Sequence, residues 1–361
     1  MSYDGLNLLE PGSDPHQNAI FLTMLCAVIQ AVDDHADILR VTTASAGNDH
    51  RLGANEAPPA IISIFLGEQL MDVIEQIEKG CLKSSKHGGM MKIGVDTLPP
   101  LPRDATDRNR TSPFAFTGNK FEFRAPGSSQ SCAGANVIIN TIVAEALDKI
   151  SGELEKFPKK NFNEKLQGLL QKIIKAHKRI IFNGDGYTDA WKKEAARRGL
   201  PNAATTPEAL GAFVSEKSKA LFEKYNVFTE AELESRYEIF MEEYAKKVKI
   251  EGELSLSMAR TIIQPAAGKQ VAELAEALVN MSAAGLTSGV AAKRETAELL
   301  GKLLDNVTKE CNDLEYALKT GNQAPVLKAM AALRADVDML ELHIDDEIWP
   351  LPKYREMLFI S

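Results

Sequence analysis

The sequence is poor in several kinds of residue, and each shortage argues against a class of protein. Four cysteines occur in 361 residues and none forms a Cys-X-X-Cys pair, which favours free thiols in a reducing cytoplasm over a disulfide framework. No apolar run approaches the length of a membrane span, so no transmembrane segment is expected. The first residues lack the basic and apolar segments of a signal peptide, so none is expected there.

Positive charge is also scarce. Acidic residues outnumber lysine and arginine by 50 to 42, and the net charge is −8. Binding to nucleic acid or to an anionic membrane surface depends on clustered basic residues, so neither is expected as the main task. Hydrophobic residues make up 44% and charged residues 25%, which is typical of a globular protein and excludes wholesale disorder.

The composition changes near residue 150. Residues 1–150 are richer in proline and poorer in charge, whereas residues 151–361 carry more charge and a helical periodicity. We therefore expect a mixed region followed by a long helical region that ends in an antiparallel helical hairpin. The helices predicted after residue 150, or across it, span 136–156, 163–183, 207–225, 229–249, 268–284, 290–319 and 324–348.

The first region is predicted to alternate helices, strands and loops. Asp14 and Pro15 are typical of a helix start, and apolar residues then recur at helical spacing to about Leu39. The other predicted elements are a strand at 41–46, a loop at 47–59, a helix at 61–79, and strands at 111–116 and 120–124. Residues 83–108 are polar and lack periodicity, which leaves a lid, an insertion and a disordered segment as open interpretations.

The last of these strands separates two faces. Because side chains alternate along a strand, Phe121 and Phe123 share one face, while Glu122 and Arg124 share the other. The phenylalanine face is expected to be buried. The opposite face then presents a carboxylate beside a guanidinium on a rigid element.

Basic side chains concentrate around this strand and the loop before it. Arg51 lies in the 47–59 loop, and Arg110, Lys120 and Arg124 lie on or near the strands. Arginine binds carboxylate and phosphate through paired hydrogen bonds, so the cluster suits an anionic substrate. A carboxylate within it can hold a divalent metal or act as a base. From spacing alone, a surface loop and an ordinary strand ion pair remain the simpler interpretation.

Longer strings of residues resemble the type III glutamine synthetases. The matching strings are AGNDHR at 46–51, RLGANEAPPA at 51–60, NRTSPFAF at 109–116 and KFEFRAP at 120–126. Shorter matches lie near the two ends of the chain, NLLEPG at 7–12 and WPLP at 349–352. The resemblance extends over nearly the whole chain and is densest before residue 150.

The resemblance implies an α+β fold. Residues 1–150 would be the C-terminal part of a glutamine synthetase catalytic domain, an antiparallel sheet with helices, and residues 151–361 the helical C-terminal region. It also implies ATP-dependent ligation of ammonia to glutamate through γ-glutamyl phosphate, with Mg²⁺ or Mn²⁺ as cofactor. The complete enzyme would be a homo-oligomer, a dodecamer in this family, in the cytoplasm.

The family pattern implies a role for each matching residue. Arg51 would bind the glutamate substrate. Glu56, on a mobile flap, would shield the acyl phosphate from water and take a proton from ammonium. Arg110 would contact the transferring phosphate, and Lys120 would lie near the nucleotide.

Two further roles belong to the strand. Glu122 would bind a metal ion, and Arg124 would contact both glutamate and the phosphoryl group. Better-known family members carry a second arginine shortly after the Asn-Arg element, where this chain has Ala115. Arg103 or Arg108 is a candidate to replace this second arginine. If neither does, the contact with the phosphate differs from that of the better-known members.

The resemblance also indicates that part of the enzyme is not in this sequence. Most metal-binding glutamates of the family lie on upstream strands, and only Glu122 matches one here, so we expect the chain alone to be inactive. A truncated gene product, an incomplete gene prediction and one piece of a split enzyme are all open origins. The alternative function is a catalytically silent helical assembly or regulatory protein. The 51–60 string argues against a phosphagen-kinase-type phosphotransferase.

Overall fold

The structure, a computed structural model, forms two compact units, Met1–Met241 and Glu242–Ser361. It describes residues 2–52, 60–80, 90–91, 101–102 and 111–358. The boundary predicted at residue 150 lies inside a helix, Ala133–Leu154. It stays a prediction about where the catalytic portion ends.

Helices, a three-stranded sheet and a separate two-stranded sheet build the first unit, which confirms the predicted α+β class. Its helices are α1 (Ala19–Asp34), α2 (Ala36–Val41), α3 (Ala46–Asp49), α4 (Gly67–Glu78), α5 (Ala133–Leu154), α6 (Phe162–His177), α7 (Asp189–Arg197), α8 (Thr206–Leu210) and α9 (Glu216–Lys224). Its strands are β1 (Ile64–Phe65), β2 (Met90–Met91), β3 (Leu101–Pro102), β4 (Phe114–Phe116) and β5 (Phe121–Phe123). Short 3₁₀ turns lie at Pro15–Gln17, Lys159–Asn161, Lys178–Ile180 and Gly211–Val214.

The predicted β-hairpin is present. Strands β4 and β5 pair antiparallel with Ala115 opposite Glu122, and Gly118 in the turn between them has φ of 95°. The Phe121 ring stacks on Phe114 with the centroids 5.0 Å apart. Phe121 and Phe123 pack against the core from one face, as strand alternation predicts, but both are half-buried rather than buried.

A third strand, β1, shows that the prediction of one helix over 61–79 is wrong at its start. Ile64 pairs in parallel with Phe114, so the sheet is mixed rather than antiparallel throughout. Residues 60–67 are buried without interruption, which is typical of a strand covered on both faces. Helix α4 begins only at Gly67.

Other local predictions are corrected as well. The expected strand at 41–46 consists of the end of α2 and the start of α3. Asn18 caps the first long helix with its side chain, whereas Asp14 makes no capping hydrogen bond. Helix α7 was not predicted because only two apolar residues of its buried face, Trp191 and Ala195, mark it in a short and otherwise charged segment.

Helix α1 is the centre of the core of the first unit. Phe21, Leu25 and Ile29 on this helix are completely buried, and helices α5 and α6 pack against it. The Phe21 ring also lies 6.0 Å from the ring of Phe116 in β4. Because burying a large apolar side chain contributes about 1.5–3 kcal/mol, this packing holds the hairpin firmly on the core.

The second unit is helical throughout its described part. It contains the end of α10 (Glu230–Met258), a π-helical turn (Ala259–Ile263), α11 (Gln264–Ala283), α12 (Val290–Thr320), α13 (Gln323–Glu341) and α14 (Tyr354–Leu358). In the described part of the chain, no helix combines the length and apolar character needed to cross a membrane.

The predicted helical hairpin consists of α12 and α13, which pack against each other across a turn at Gly321. Val326, Leu333 and Leu340 recur at heptad spacing and are all buried, as the seam between two helices requires. Helix α13 ends at Glu341, before the predicted end at residue 348.

Helix α10 approaches this hairpin closely at Gly252. A Cβ atom at this position would lie 2.9 Å from Leu318 Cδ2 and 3.0 Å from Val326 Cγ1. Such distances are shorter than the contact distance of packed carbon atoms. The helix can therefore come this close only because residue 252 is a glycine and has no side chain.

One carboxyl group of α12 titrates well above the usual range. Burial, together with repulsion by Asp336 and Asp313 and a hydrogen bond with Asp336, raises the pKa of Glu310 from 4.5 to about 7. The folded chain therefore binds this proton more tightly than the unfolded chain. The stabilisation from this proton is complete at pH values below the pKa of Glu310 in the unfolded chain. It is lost as the pH rises through the pKa of Glu310 in the folded chain.

The substitution Glu310→Gln removes this titration. Thermal unfolding of wild type and variant at about pH 5 and about pH 8 should show the variant gaining stability relative to wild type at the higher pH. Glu298→Gln, an exposed carboxylate of the same helix, is the control and should follow the wild type. An identical pH dependence of Glu310→Gln and wild type would contradict the assignment.

Candidate functional site at the edge of the hairpin

The edge of the hairpin carries a hydrogen-bonded carboxylate and guanidinium. Arg124 Nε and Nη2 donate to Glu122 Oε2 at 3.1 and 2.8 Å. Thr117 Oγ1 donates to the other oxygen, Oε1, at 3.3 Å, and Lys120 Nζ lies 3.6 Å from Oε1. Glu122 and Arg124 therefore share one face, as strand alternation predicts.

Glu122 is held in its ionised form. The hydrogen bond from Arg124 lowers the pKa of Glu122 below its usual value, and it outweighs the opposing effect of slight burial. The side chains of Glu122 and Arg124 are 39% and 28% exposed, so both remain accessible from solvent. An ionised carboxylate suits a hard divalent cation, and a guanidinium beside it suits a carboxylate or phosphate.

The loop that carries Arg51 is joined to this edge by Asn48. Asn48 Nδ2 donates to the Thr43 carbonyl at 2.8 Å and to the Ala125 carbonyl at 3.2 Å. Ala125 directly follows Arg124, so one side chain fixes the loop against the end of β5. Asn48 is buried, and its hydrogen bonds are strengthened because they are shielded from water.

Arg51 lies one turn after Asn48. The Arg51 amide donates to the Asn48 carbonyl at 3.0 Å, and the Arg51 side chain is exposed. Two hydrogen bonds through Asn48 thus link the backbone of Arg51 to Ala125. The role of the Arg51 side chain in binding glutamate stays a prediction.

Two of the predicted site residues, Glu56 and Arg110, lie outside the described residues, as do Arg103 and Arg108. Their roles stay predictions from the resemblance. Lys120 is described, and its 63% exposed side chain pairs with a carboxylate of its own strand. Its placement near a nucleotide also stays a prediction.

A second anchor joins the loop to the start of helix α8. Asp49 Oδ2 accepts from the Thr206 amide at 2.7 Å, and Oδ1 accepts from Thr206 Oγ1 at 2.9 Å, at the start of α8. Arg40 Nη2 lies 3.4 Å from Asp49 Oδ1. Burial raises the pKa of Asp49 and lowers the pKa of Arg40, so desolvation outweighs their mutual attraction.

Sequence reasoning did not identify Asn48, Asp49 and Arg40 as positioning residues. The string at 46–51 contains the first two, but their partners are far along the chain. The helix predicted over 207–225 begins close to α8, and the capping box of Thr205 and Glu208 confirms a helix start there. That signal did not reveal Asp49 as a partner of this helix start.

A separate cluster of charged side chains in the first unit has a structural role. One ligand atom each of Asp33, Asp34 and His177 lies within 4.8 Å of the others. However, Arg179 Nε already lies 2.8 Å from Asp33 Oδ1, and Lys149 Nζ lies 3.6 Å from Asp34 Oδ2. Protein cations thus compensate the two carboxylates, and the cluster joins α1 to α5 and α6.

The sequence of this chain is similar to those of known proteins. Residues 165–282 match the glutamine synthetase C-terminal domain. The chain is 44% identical over 377 residues to a type-3 glutamine synthetase of Dictyostelium discoideum, which covers 99% of this chain and 51% of the relative. Nearly the whole chain is therefore similar to part of a type-3 glutamine synthetase.

Bacterial relatives show the same extent of similarity. Glutamine synthetases of Bacteroides fragilis (strain YCH46) and Butyrivibrio fibrisolvens are 40% and 38% identical, each over 98% of this chain and 52% of the relative. The chain therefore spans about half the length of the curated glutamine synthetases it matches.

The substitution Asn48→Ala tests the anchor between the loop and the end of β5. It leaves two buried carbonyls without their donor, and we expect the free energy of unfolding to fall by about 1–3 kcal/mol. Urea unfolding followed by tryptophan fluorescence measures the change. Asn140→Ala, at an exposed helical position, is the control and should be neutral or slightly stabilising. Unchanged stability of Asn48→Ala would mean that the amide does not anchor the loop.

Proposed function

We propose that this chain supplies the glutamate- and phosphate-facing side of an ATP-dependent glutamate–ammonia ligase. The observation that carries the proposal is the Glu122–Arg124 pair at the hairpin edge, with the Arg51 loop fixed to the next residue by Asn48. The similarity to named glutamine synthetases over nearly the whole chain supports it. The substrates would be glutamate, ammonia and ATP.

In the reaction, the γ-carboxylate of glutamate attacks the γ-phosphorus of ATP and ADP leaves. Ammonia then attacks the γ-carbonyl carbon of the acyl phosphate, inorganic phosphate leaves, and a proton is lost from nitrogen. Arg51 would hold the substrate glutamate. Arg124 would neutralise the charge that develops on the phosphoryl oxygens in the transition state. Electrostatic stabilisation of this kind is usually the largest single contribution to catalysis. Arg110 and Lys120 would contact the phosphate and the nucleotide.

The described residues supply part of the metal site that such a reaction requires. Glu122 is ionised and accessible, and Oε1 carries only weak contacts with Thr117 and Lys120, so this oxygen can exchange them for Mg²⁺ or Mn²⁺. A bound cation would supply charge neutralisation for the phosphates. One carboxylate does not complete a divalent site, which takes about six oxygen ligands. We therefore propose that residues beyond this chain complete the site, and that the 361 residues alone do not ligate ammonia.

The central experiment compares two proteins. The 361-residue chain alone, and the same chain fused to the part of the Dictyostelium relative outside the match, are assayed for ATP- and ammonia-dependent glutamine formation. We expect activity from the fusion only. An inactive but folded fusion of dodecamer size would favour a silent assembly protein instead. Activity of the chain alone would overturn the proposal of an incomplete site.

The role of Arg124 is tested in that fusion. Arg124→Ala should raise the barrier to phosphoryl transfer by about 2–4 kcal/mol, a fall in kcat of roughly a hundredfold. Arg124→Lys should recover only part of the loss because it lacks the paired donors. The exposed Arg197→Ala is the control and should leave kcat unchanged. An unchanged kcat for Arg124→Ala would remove this residue from the site.

The proposed flap residue makes a separate prediction. Glu56→Ala should suppress ammonia-dependent glutamine formation while leaving ATP binding intact, because it would act on ammonium and not on the nucleotide. Product analysis and calorimetric titration with ATP measure the two effects. Glu68→Ala, an exposed residue of α4, should change neither. Equal losses of glutamine formation and ATP binding would contradict the proposed role.

A further inference from the structure

The loop that follows the 3₁₀ turn at Lys178–Ile180 packs against the entry of strand β4. We call residues 183–187, with the sequence NGDGY, the glycine loop. The Gly186 amide donates to Thr111 Oγ1 at 2.8 Å, and the same hydroxyl donates to the Gly184 carbonyl at 3.4 Å. One threonine side chain therefore joins two backbone positions of the glycine loop, which lie 73 and 75 residues further along the chain.

The glycine loop also contacts the backbone of Thr111. A Cβ atom on Gly186 would lie 2.5 Å from the Thr111 carbonyl oxygen and 3.4 Å from its Oγ1. Gly186 is buried and its φ lies outside the left-handed region, so this glycine is required by space and not by backbone conformation. A carbonyl oxygen cannot rotate out of the way as a side chain can. Any side chain at position 186 therefore has to push the two backbone segments apart.

The other side of the glycine loop is fixed to the core. The Phe182 amide, just before the loop, donates to the Ile64 carbonyl of β1 at 2.8 Å. Asn183 Oδ1 accepts from the amides of Leu66 and Gly67 at 3.0 and 3.3 Å, where α4 begins. Because Ile64 and Leu66 are buried in the core, these hydrogen bonds give the loop a rigid support. The contact with the entry of β4 rests on that support.

The threonine held by the glycine loop is linked to two arginines of the proposed ligase site. Arg110 directly precedes Thr111 in the sequence, and the proposed site assigns this arginine to the transferring phosphate. Two buried residues follow Thr111, and the carbonyl of the second, Pro113, accepts from the Arg124 amide at 2.8 Å. Two residues and one hydrogen bond therefore connect the glycine-loop contact to the backbone of Arg124.

We propose that Thr111 and Gly186 are positioning residues for phosphoryl transfer, which hold the start of β4 and through it the backbone of Arg110 and Arg124. The inference rests on the proposed ligase function. A charge that neutralises a phosphoryl group has to be placed accurately, because a displacement of about 1 Å can reduce the rate roughly a hundredfold. Residues that hold a catalytic group in place therefore contribute to the rate without contacting the substrate.

Replacing the Thr111 hydroxyl tests the proposal in the fusion protein described above. Thr111→Val keeps the shape and removes both hydrogen bonds, so kcat for glutamine formation should fall at least about tenfold, while KM for ATP and for glutamate stays within about twofold. Thr111→Ser keeps the hydroxyl and should retain kcat within about twofold. Thr111→Ala is smaller and replaces the valine variant if that variant does not fold. An unchanged kcat in the folded variant would overturn the positioning role.

A loss of stability alone gives a different result. Thr188, directly after the glycine loop, caps α7 with its side chain, so Thr188→Val should lower the melting temperature but leave kcat of the folded protein unchanged. An equal loss of kcat in Thr188→Val and Thr111→Val would show that both act through stability, and it would overturn the proposal.

The close approach at Gly186 is tested in the same assay. Gly186→Ala should reduce kcat as Thr111→Val does, because the added methyl group meets the Thr111 carbonyl. Gly168→Ala is the matched control and should leave kcat unchanged, because this exposed glycine of α6 has open space around it. An equal kcat of Gly186→Ala and wild type would contradict the proposal.

Amide hydrogen exchange supplies a readout that does not depend on activity. In the 361-residue chain, the Arg124 amide should exchange at least about tenfold faster in Thr111→Val than in wild type, while the amide of the buried Ile29 in α1 should exchange equally in both. An unchanged rate at Arg124 would overturn the proposal. A wild-type fusion that forms no glutamine would instead refute the ligase function on which the proposal rests. An active wild-type fusion with an equally active Thr111→Val would refute the positioning role alone.

Discussion

The geometry of the hairpin edge depends on one buried side-chain amide. Asn48 reaches two backbone carbonyls, Thr43 in its own loop and Ala125 after β5, and both hydrogen bonds come from a single nitrogen. The loop cannot move away from the strand without leaving a buried acceptor unpaired. A rigid connection of this kind is what group transfer requires, since small displacements of a positioned charge reduce rate strongly.

A buried charge pair supports the same loop from the other side. The pKa values of Arg40 and Asp49 both move toward the neutral form because burial outweighs their attraction. The pair therefore contributes orientation more than net stability. Asp49 also binds the first amide of α8, where the partial positive charge of a helix start favours a carboxylate. Together, the two anchors define the position of the loop between α8 and the hairpin.

The features predictable from the sequence are those whose partners lie close together along the chain. Glu122 and Arg124 belong to one strand, so their common face follows from the alternation of side chains, and the helical hairpin follows from heptad spacing. Strand β1 was not predictable because its uninterrupted apolar run carries no period. Asn48 and Ala125 are 77 residues apart, and no local pattern announces a contact over that separation.

Gly252 has a consequence for how α10 is set in the second unit. The backbone of this helix lies close to Leu318 and Val326 at Gly252, where no side chain separates them. A slip of the helix by one residue in either direction would bring Glu251 or Glu253 to that contact and press a carboxylate between two aliphatic side chains. The glycine thus fixes the rotation of α10 about its own axis. Either neighbouring rotation would place a charged, bulky side chain in an apolar contact, which is unfavourable both electrostatically and sterically.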